Sequence, residues 1–212
     1  MSWRWKIAQA AEIRWWKNYL RSKEPTDYLA KKKQYWKRVL DQLNLEIGAS
    51  STILDAGCGP AGIFILLDKQ DIDAVDPLLD QYAKELPHFV PLDYPNTQFF
   101  CDSLETWKPP KQYDYVFCLN AINHVADLEL SLNKICDAVR PGGTLIVSVD
   151  AHNHALLKPI FQWIPGDILH PHQYDLNEYR QMLKQRGAQI TQEHCLKKAF
   201  FFNYYVFTAI LP

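Results

Sequence analysis

Ile53-Leu54-Asp55-Ala56-Gly57-Cys58-Gly59-Pro60-Ala61-Gly62 is the stretch that decides the fold. A short apolar run breaks into three glycines and continues into Ile63-Phe64-Ile65-Leu66-Leu67. That order predicts a buried strand, a tight loop and a helix start over Gly62–Lys69. Glycine has no Cβ and tolerates positive φ, so such a loop lets backbone N–H groups come close to a ligand. Gly57, Gly59 and Gly62 also have the bare GxGxxG spacing, a weak sign of a nucleotide-like ligand when it stands alone.

Downstream of the loop, strand and helix patterns alternate. Ile72–Pro77, Gln98–Asp102, Tyr113–Leu119 and Thr144–Val149 read as further strands, with helices over Leu78–Leu86 and Leu128–Val139 and a turn at Arg140-Pro141-Gly142-Gly143. Repeated βα units of this length predict an α/β fold with a mostly parallel sheet covered by helices on both faces. An irregular insert from Asp150 to about His172 is rich in Pro, His and aromatics, and a helix follows at Leu176–Gln185. Gln189–Leu196 and Phe200–Leu211 close the chain. They lie too near one another for a crossover, so they form an antiparallel terminal hairpin.

Upstream, residues 1–48 are a compositionally distinct N-terminal segment, and 49–212 the main domain. The first 38 residues hold eleven Lys and Arg against three acids, while the remainder holds twelve against twenty-one. Trp3, Trp5, Trp15, Trp16 and Trp36 also fall there. One helix is expected over residues 4–21, ended by Lys23-Glu24-Pro25. A second is capped by Thr26 or Asp27, with Tyr28, Leu29, Tyr35, Trp36, Val39, Leu40 and Leu43 on its apolar side and Lys31, Lys32, Lys33, Lys37 and Arg38 opposite. The basic side reads as a solvated face, with an electrostatic collar for an anionic substrate, a membrane surface or RNA as the alternative. No apolar run is long enough to span a membrane, and no signal-peptide pattern opens the chain. Five dispersed cysteines without a CxxC suit reduced thiols in a cytoplasmic protein and give no zinc pattern.

Ligands of open α/β sheets bind beyond the carboxyl ends of the strands. Asp55, Asp76 and Asp102 fall at or near three such ends. Asp76 is suited to accept from both hydroxyls of a ribose, Asp102 from an adenine amino group, and Asp55 to hold an ammonium. Asp76 and Asp102 also suit a turn or the cap of a following helix, whereas a buried Asp55 without a partner would be costly.

The resemblance now becomes specific. The Ile53–Gly62 stretch resembles motif I of the class I S-adenosylmethionine-dependent methyltransferases. Ala74-Val75-Asp76-Pro77 resembles their acidic second-strand motif, and Phe100-Cys101-Asp102-Ser103-Leu104 their adenine-side motif. Tyr113–Phe117 with Asn120-Ala121-Ile122-Asn123-His124-Val125 is similar to their fourth-strand motif, and Val139-Arg140-Pro141-Gly142-Gly143-Thr144-Leu145 to the turn before strand five. The likeness covers about residues 50–212, with the motifs in order. It implies a Rossmann-like seven-stranded sheet whose last strand inserts antiparallel. The N-terminal helices, as a helical lid, and the insert after strand five would cover the site. It implies S-adenosyl-L-methionine as cofactor, with Asp55, Gly57, Cys58 and Gly59 at the methionine end, Asp76 and Pro77 at the ribose, and Asp102 and Ser103 at the adenine. Asn120 would face the methionine end or the acceptor. An NAD-binding protein would share the glycines but not the whole set.

The same resemblance, to ubiquinone- and menaquinone-type enzymes in particular, implies a small, aromatic or lipid-like acceptor methylated by in-line transfer. His124 is the first general-base candidate, because a neutral imidazole suits that role. Tyr174, in the loop entering the last helix, is the second. Some relatives carry Glu where Asn123 stands, so no metal role is transferred. His152, His154, His170 and His172 follow strand five in a spacing that fits no metal pattern. An RNA or protein methyltransferase using the basic helices stays open as an alternative, as does a non-catalytic binding module. DNA is excluded by the lack of an Asn/Asp-Pro-Pro-aromatic motif and of a Pro-Cys nucleophile. Oligomeric state is not written in the pattern.

Overall fold

The computed structural model describes residues 3–152, 174–198 and 202–212. The strands are β1 (Thr52–Ala56), β2 (Asp71–Val75), β3 (Thr97–Phe100), β4 (Tyr113–Cys118), β5 (Val139–His152), β6 (Gln189–Lys197) and β7 (Phe202–Ile210). They form one sheet in the order β3-β2-β1-β4-β5-β7-β6. The β1–β5 pairings are parallel, and β7 enters antiparallel between β5 and β6, as the sequence predicts. The helices are α1 (Trp3–Leu20), α2 (Pro25–Gln42), α3 (Leu79–Glu85), α4 (Leu128–Asp137) and α5 (Leu176–Gln185). Among the described residues, no helix is long and apolar enough to cross a membrane.

Strand periodicity divides the core. Alternate side chains point to opposite faces, so Leu54, Val116, Leu145 and Phe207 join one apolar cluster with Leu132 and Ile135 of α4 and Tyr179 and Leu183 of α5. Ile53, Ile72, Phe117, Ile146 and Val206 join the other, with Ile13 and Leu20 of α1, Trp36 and Val39 of α2 and Tyr82 of α3. The N-terminal helices thus share a core with the sheet. Near-continuous apolar strands are what burial on both faces requires.

Several local expectations change. No α-helix follows the glycine loop. Gly59–Ala61 and Ile63–Ile65 are separate single 3₁₀ turns, with Gly62 extended between them. An α-helix there would have to turn part of its surface to solvent, yet Ile63, Phe64, Ile65 and Leu67 are all buried. The cap of α2 is Glu24, which accepts from the Asp27 N–H at 2.7 Å, with Pro25 in the first turn where its missing N–H costs nothing. The Arg140–Gly143 turn is absorbed into β5 as an irregularity, where pairing with β4 shifts between Tyr113 and Tyr115. Gly142 takes φ +74° there, and its N–H donates to the Leu211 carbonyl at 2.7 Å. β5 continues past Val149 to His152, paired with β7 throughout. Cys101 and Cys195 are exposed, so only three of the five free thiols are buried. Most of the histidine-rich insert (residues 153–173, with His154, His170 and His172) lies outside the described residues, as do Phe200 and Phe201.

Candidate active site

The chain leaves β1 toward β2 and β3 on one side and later fills β4 and β5 on the other, so its direction reverses between β1 and β4. Ligands of open α/β sheets lie at such switch points. Here the loops after β1 and β4 touch. A Cβ on Gly57 would stand 2.3 Å from the Ala121 Cβ, and Gly57 has φ +71°. Both facts restrict that position to glycine. The Gly57 and Cys58 N–H groups donate back to the Val75 carbonyl at 2.8 and 3.2 Å, which clips the loop to the end of β2.

Asp55 and Asp76 are both buried at this edge, 2% and 7% exposed. Asp55 Oδ2 accepts from the Phe64 N–H at 3.1 Å and presses against Gly62, where a Cβ would come within 2.3 Å of it. Burial pushes its pKa up to about 7, against backbone hydrogen bonds and the Lys32 ammonium, which act the other way. Asp76 accepts from the Gly59 N–H at 3.0 Å through Oδ2 and from the Leu78 N–H at 2.9 Å through Oδ1. Burial and the facing Glu12 carboxylate of α1 raise it likewise to about 7. Each of its oxygens has two lone pairs, so each keeps acceptor capacity for a further donor. Gly59 sits at φ +57° beneath Trp16 of α1. Pro77 follows Asp76, and its carbonyl accepts from the Cys101 thiol at 3.5 Å. The Cys58 thiol is buried and pushed well up in pKa, mostly by desolvation, so it stays a neutral packing group.

Asp102 lies two residues beyond β3. Its Oδ1 accepts from the Ser103 N–H at 2.8 Å and from the Thr106 hydroxyl. Ser103 is buried, with its hydroxyl 2.8 Å from that of Thr106. The pair therefore shapes the loop after β3 while leaving the second Asp102 oxygen for other contacts. Asn120, exposed after β4, takes φ +57°, one of only two positive-φ non-glycines among the described residues. Its N–H donates to Ser148 Oγ at 2.7 Å, and Tyr204 Oη donates to the same oxygen at 2.7 Å. Backbone in this region is costly for a non-glycine and concentrates at functional sites. His124 is half-buried, in the 3₁₀ turn Ile122–His124 beside Asn120. Tyr174 is also half-buried, its ring edge-on to Tyr179 at 5.8 Å.

Asn123, where some relatives of the resembled family carry Glu, has a structural task. Its Nδ2 donates to Tyr179 Oη at 2.8 Å, and its Oδ1 accepts from the Asp150 N–H at 3.2 Å. It ties the post-β4 turn to β5 and α5.

Some site residues escape sequence reading. Lys32 is not on the solvated face of α2. Its ammonium lies 4.7 Å from the Trp36 ring centroid and 5.2 Å from that of Tyr35, and desolvation lowers its pKa. The available signal was spacing: Lys32 stands three and four residues before Tyr35 and Trp36, on the same stripe. Trp36 Nε1 donates to the Ala61 carbonyl at 3.0 Å, so α2 is bonded directly to the glycine loop. Glu12 and Trp16 of α1 lie over the loop and Asp76, and Tyr82 Oη donates to Glu12 Oε1 at 3.4 Å.

A glycine loop at the switch point of a doubly wound sheet, with carboxylates beside it and a seventh strand inserted antiparallel, defines a Rossmann-like α/β domain with its candidate site at the carboxyl edge of the sheet. The sequence carries this further. The family model described as a methyltransferase domain matches residues 28–193, and the chain belongs to that family. Ubiquinone biosynthesis O-methyltransferase of Rickettsia canadensis is 28% identical over 159 residues, covering 66% of this chain and 63% of the relative. Trans-aconitate 2-methyltransferase of Agrobacterium fabrum is 30% identical over 102 residues, covering 45% and 37%. The matched part is thus less than two thirds of the length of these curated relatives. Among solved structures, the Burkholderia thailandensis 1,6-didemethyltoxoflavin-N1-methyltransferase, with bound 1,6-didemethyltoxoflavin and S-adenosylhomocysteine, superposes with a TM-score of 0.66 at 16% identity, over 100% of this chain and 91% of that one. Magnesium protoporphyrin IX methyltransferase of Synechocystis, bound to SAH, does so with a TM-score of 0.62 at 21% identity, over 85% and 83%.

Proposed function

We propose that the protein is an S-adenosyl-L-methionine-dependent methyltransferase for a small-molecule acceptor, with residues 1–48 as a lid over the cofactor. The observation that carries this reading is the buried Asp76 carboxylate. It is bonded to the loop through the Gly59 N–H and keeps one acceptor position on each oxygen. A ribose diol supplies the two donors that such a carboxylate fits. The rest of the edge fits the remainder of the cofactor. Gly57 and Gly59 give close backbone approach at the methionine end, with Asp55 and Cys58 beside them. Pro77 stands by the ribose. Asp102 and Ser103 stand at the adenine end, and Asn120 opposite, toward the acceptor.

When bound, the sulfonium cofactor supplies an activated methyl group. The protein's share is then alignment and exclusion of water. Trp16, Trp36 and Glu12 cover the loop from α1 and α2, so cofactor entry requires these helices to move aside. His124 is the proposed proton acceptor for an O–H or N–H substrate, and Tyr174 is the second candidate. The small-molecule reading is supported by the names of the relatives, which concern ubiquinone biosynthesis and trans-aconitate. Five free thiols support a reducing, cytoplasmic setting.

Calorimetry with S-adenosylmethionine and S-adenosylhomocysteine tests the reading. Loss of two hydrogen bonds to a charged acceptor predicts that Asp76→Ala weakens binding by roughly a hundredfold or more. No binding to the wild type, or an unchanged affinity in Asp76→Ala, would refute it. His124→Ala should bind normally and transfer methyl to an accepted substrate about 10² to 10⁴ times more slowly; full turnover removes His124 from the mechanism.

A further inference from the structure

α1 has two faces. On the helical period, Ile13, Trp16 and Leu20 fall on one stripe, which packs into the core against the sheet. Glu12, beside that stripe, meets Tyr82 and Asp76. Ile7, Ala11, Arg14, Trp15 and Asn18 fall opposite, with Tyr19 at the edge, and all of them are exposed. Three carry large apolar surface: Ile7 is 45% exposed, Trp15 49% and Tyr19 41%. The Trp15 and Tyr19 rings stack 4.9 Å apart and 7° from parallel, so they present one plate. The outward face of a surface helix is ordinarily polar, and a grouped apolar patch there marks an interaction surface.

The charge around this patch is mostly positive. Glu12 is the only acid of α1, and it points inward. Arg14 and Arg21, the latter just past the helix, are exposed and have no hydrogen-bond or ion-pair partner among the described residues. Beside the end of α1 a groove runs to the loop after α3, with Lys17, Arg21 and Lys23 on one side and Pro87 and His88 on the other. Lys17 is paired with Glu85 at 2.6 Å, and Lys23 donates to the Tyr19 carbonyl at 2.9 Å. Arg21 is thus the cation left open to a ligand there. The loop continues to Val90 and Leu92, which are 42% and 91% exposed. Of the other acids on this side, Glu24 is held in the cap of α2, and Asp93 stands exposed next to Leu92.

Three kinds of partner compete for such a surface. A second copy of the chain, related by a two-fold axis, would set the basic face against itself. RNA would engage the arginines and the rings but has no use for the aliphatic Ile7, Val90 and Leu92. A bilayer with anionic headgroups engages all of them. Rings and aliphatic side chains sit at the boundary of headgroup and acyl chain, and guanidinium groups sit on lipid phosphates. We propose that the outward face of α1, with the groove at its end, docks on an anionic lipid surface, the helix lying in the plane of that surface. The inward face of the same helix carries Trp16 and Glu12 over the glycine loop and Asp76, so docking acts on the cover of the candidate site.

Flotation of the full chain with lipid vesicles tests this. Mixed phosphatidylglycerol–phosphatidylcholine vesicles should bind the protein, less tightly as salt rises, and phosphatidylcholine alone should bind it about tenfold more weakly or worse. Arg14→Gln combined with Arg21→Gln should weaken binding to the mixed vesicles about ten- to thirtyfold, on the order of fivefold for each charge at such a surface. Trp15→Ser combined with Tyr19→Ser should weaken it about tenfold or more while keeping the salt dependence. All four positions are exposed, so both double variants should melt as the wild type does. The arginine pair, which removes no ring, separates loss of docking from loss of fold. Absence of binding to the mixed vesicles, equal binding to phosphatidylcholine alone, or full binding by both double variants overturns the docking surface. So does a wild-type dimer that Trp15→Ser with Tyr19→Ser dissociates, which gives the face to a second copy. Binding of an RNA oligomer that both double variants abolish gives it to RNA and overturns it equally.

Discussion

Raising the pH from 5 to 7 should destabilise the ligand-free protein, because Asp55 and Asp76 hold protons more tightly folded than unfolded. Their ordinary value is 3.8, and burial carries both to about 7. Below about pH 4 both states are protonated and the contribution to stability is complete. Between the two values the unfolded chain has lost the protons that the folded chain keeps, so stability falls as pH rises. Above about 7 both states are ionised and the effect levels off. Each acid contributes at most about 1.4 kcal/mol per pH unit in that window. The groups around them modify this. Glu12, raised by its own burial, acts in the same direction on Asp76, and Lys32 opposes it at Asp55. Together the two acids set an upper bound of about 5 kcal/mol between pH 5 and 7, and mutual repulsion spreads the two steps over a wider pH range. Asp114 lies outside the window. Its desolvation is outweighed by hydrogen bonds from Thr52 and the Arg140 guanidinium, and its lowered pKa removes stability only as pH falls below the usual carboxylate range. Urea unfolding at pH 5, 6, 7 and 8 reads the effect, with Asp55→Asn and Asp76→Asn each removing about half of the difference. Ligand turns the argument round. Ribose hydroxyls and an ammonium favour the ionised acids, so stabilisation by S-adenosylhomocysteine should grow with pH up to about 7. A slope that survives in both Asn variants would refute the assignment of these protons to Asp55 and Asp76.

Gly57→Ala should cost about 2 to 4 kcal/mol in chemical denaturation, since its Cβ would overlap that of Ala121 and its φ of +71° disfavours any side chain. Ala121→Gly added to it should recover the overlap but not the backbone part, and complete recovery would contradict the positive-φ argument. Asn123→Ala should cost about 2 to 4 kcal/mol by orphaning the Tyr179 hydroxyl and the Asp150 N–H. Thermal unfolding checks it, and a loss below about 0.5 kcal/mol would mean that the post-β4 turn is held by other contacts.

The sheet was legible because its signals are local. Ile53–Ala56 and Tyr113–Leu119 are apolar runs of strand length between turn residues, and the closing runs lie too close for a crossover. The first helix was misread because Ile63–Leu67 carries a run of apolar residues without helical periodicity. A buried run can be a helix, a strand or irregular chain. Only tertiary facts, the Asp55–Phe64 bond and the Gly62 contact, mark it as one 3₁₀ turn, Ile63–Ile65, followed by irregular chain. Lys32 was misread for a related reason. Within Lys31-Lys32-Lys33 composition treats the three alike, but at 100° per residue only Lys32 falls on the Tyr35–Trp36 stripe.

The cofactor end is legible and the acceptor end is not, because they are built from different parts of the chain's chemistry. At the proposed cofactor end the marks are in the backbone. The Ala121 contact and a positive φ demand glycine at Gly57, a positive φ favours it at Gly59, and the switch point lies where these strands end. Those demands leave marks at fixed spacings. At the proposed acceptor end, the candidate residues come from α1, α2 and the Asn120–His124 turn without a shared spacing. Asn123 illustrates the point: a position beside the proposed catalytic His124 serves as a buried hydrogen-bonding strut, and the sequence alone does not separate the two roles. Asp55 and Lys32 lie at the boundary, the first written into the glycine motif and the second seen beside the loop only once α2 is laid across it.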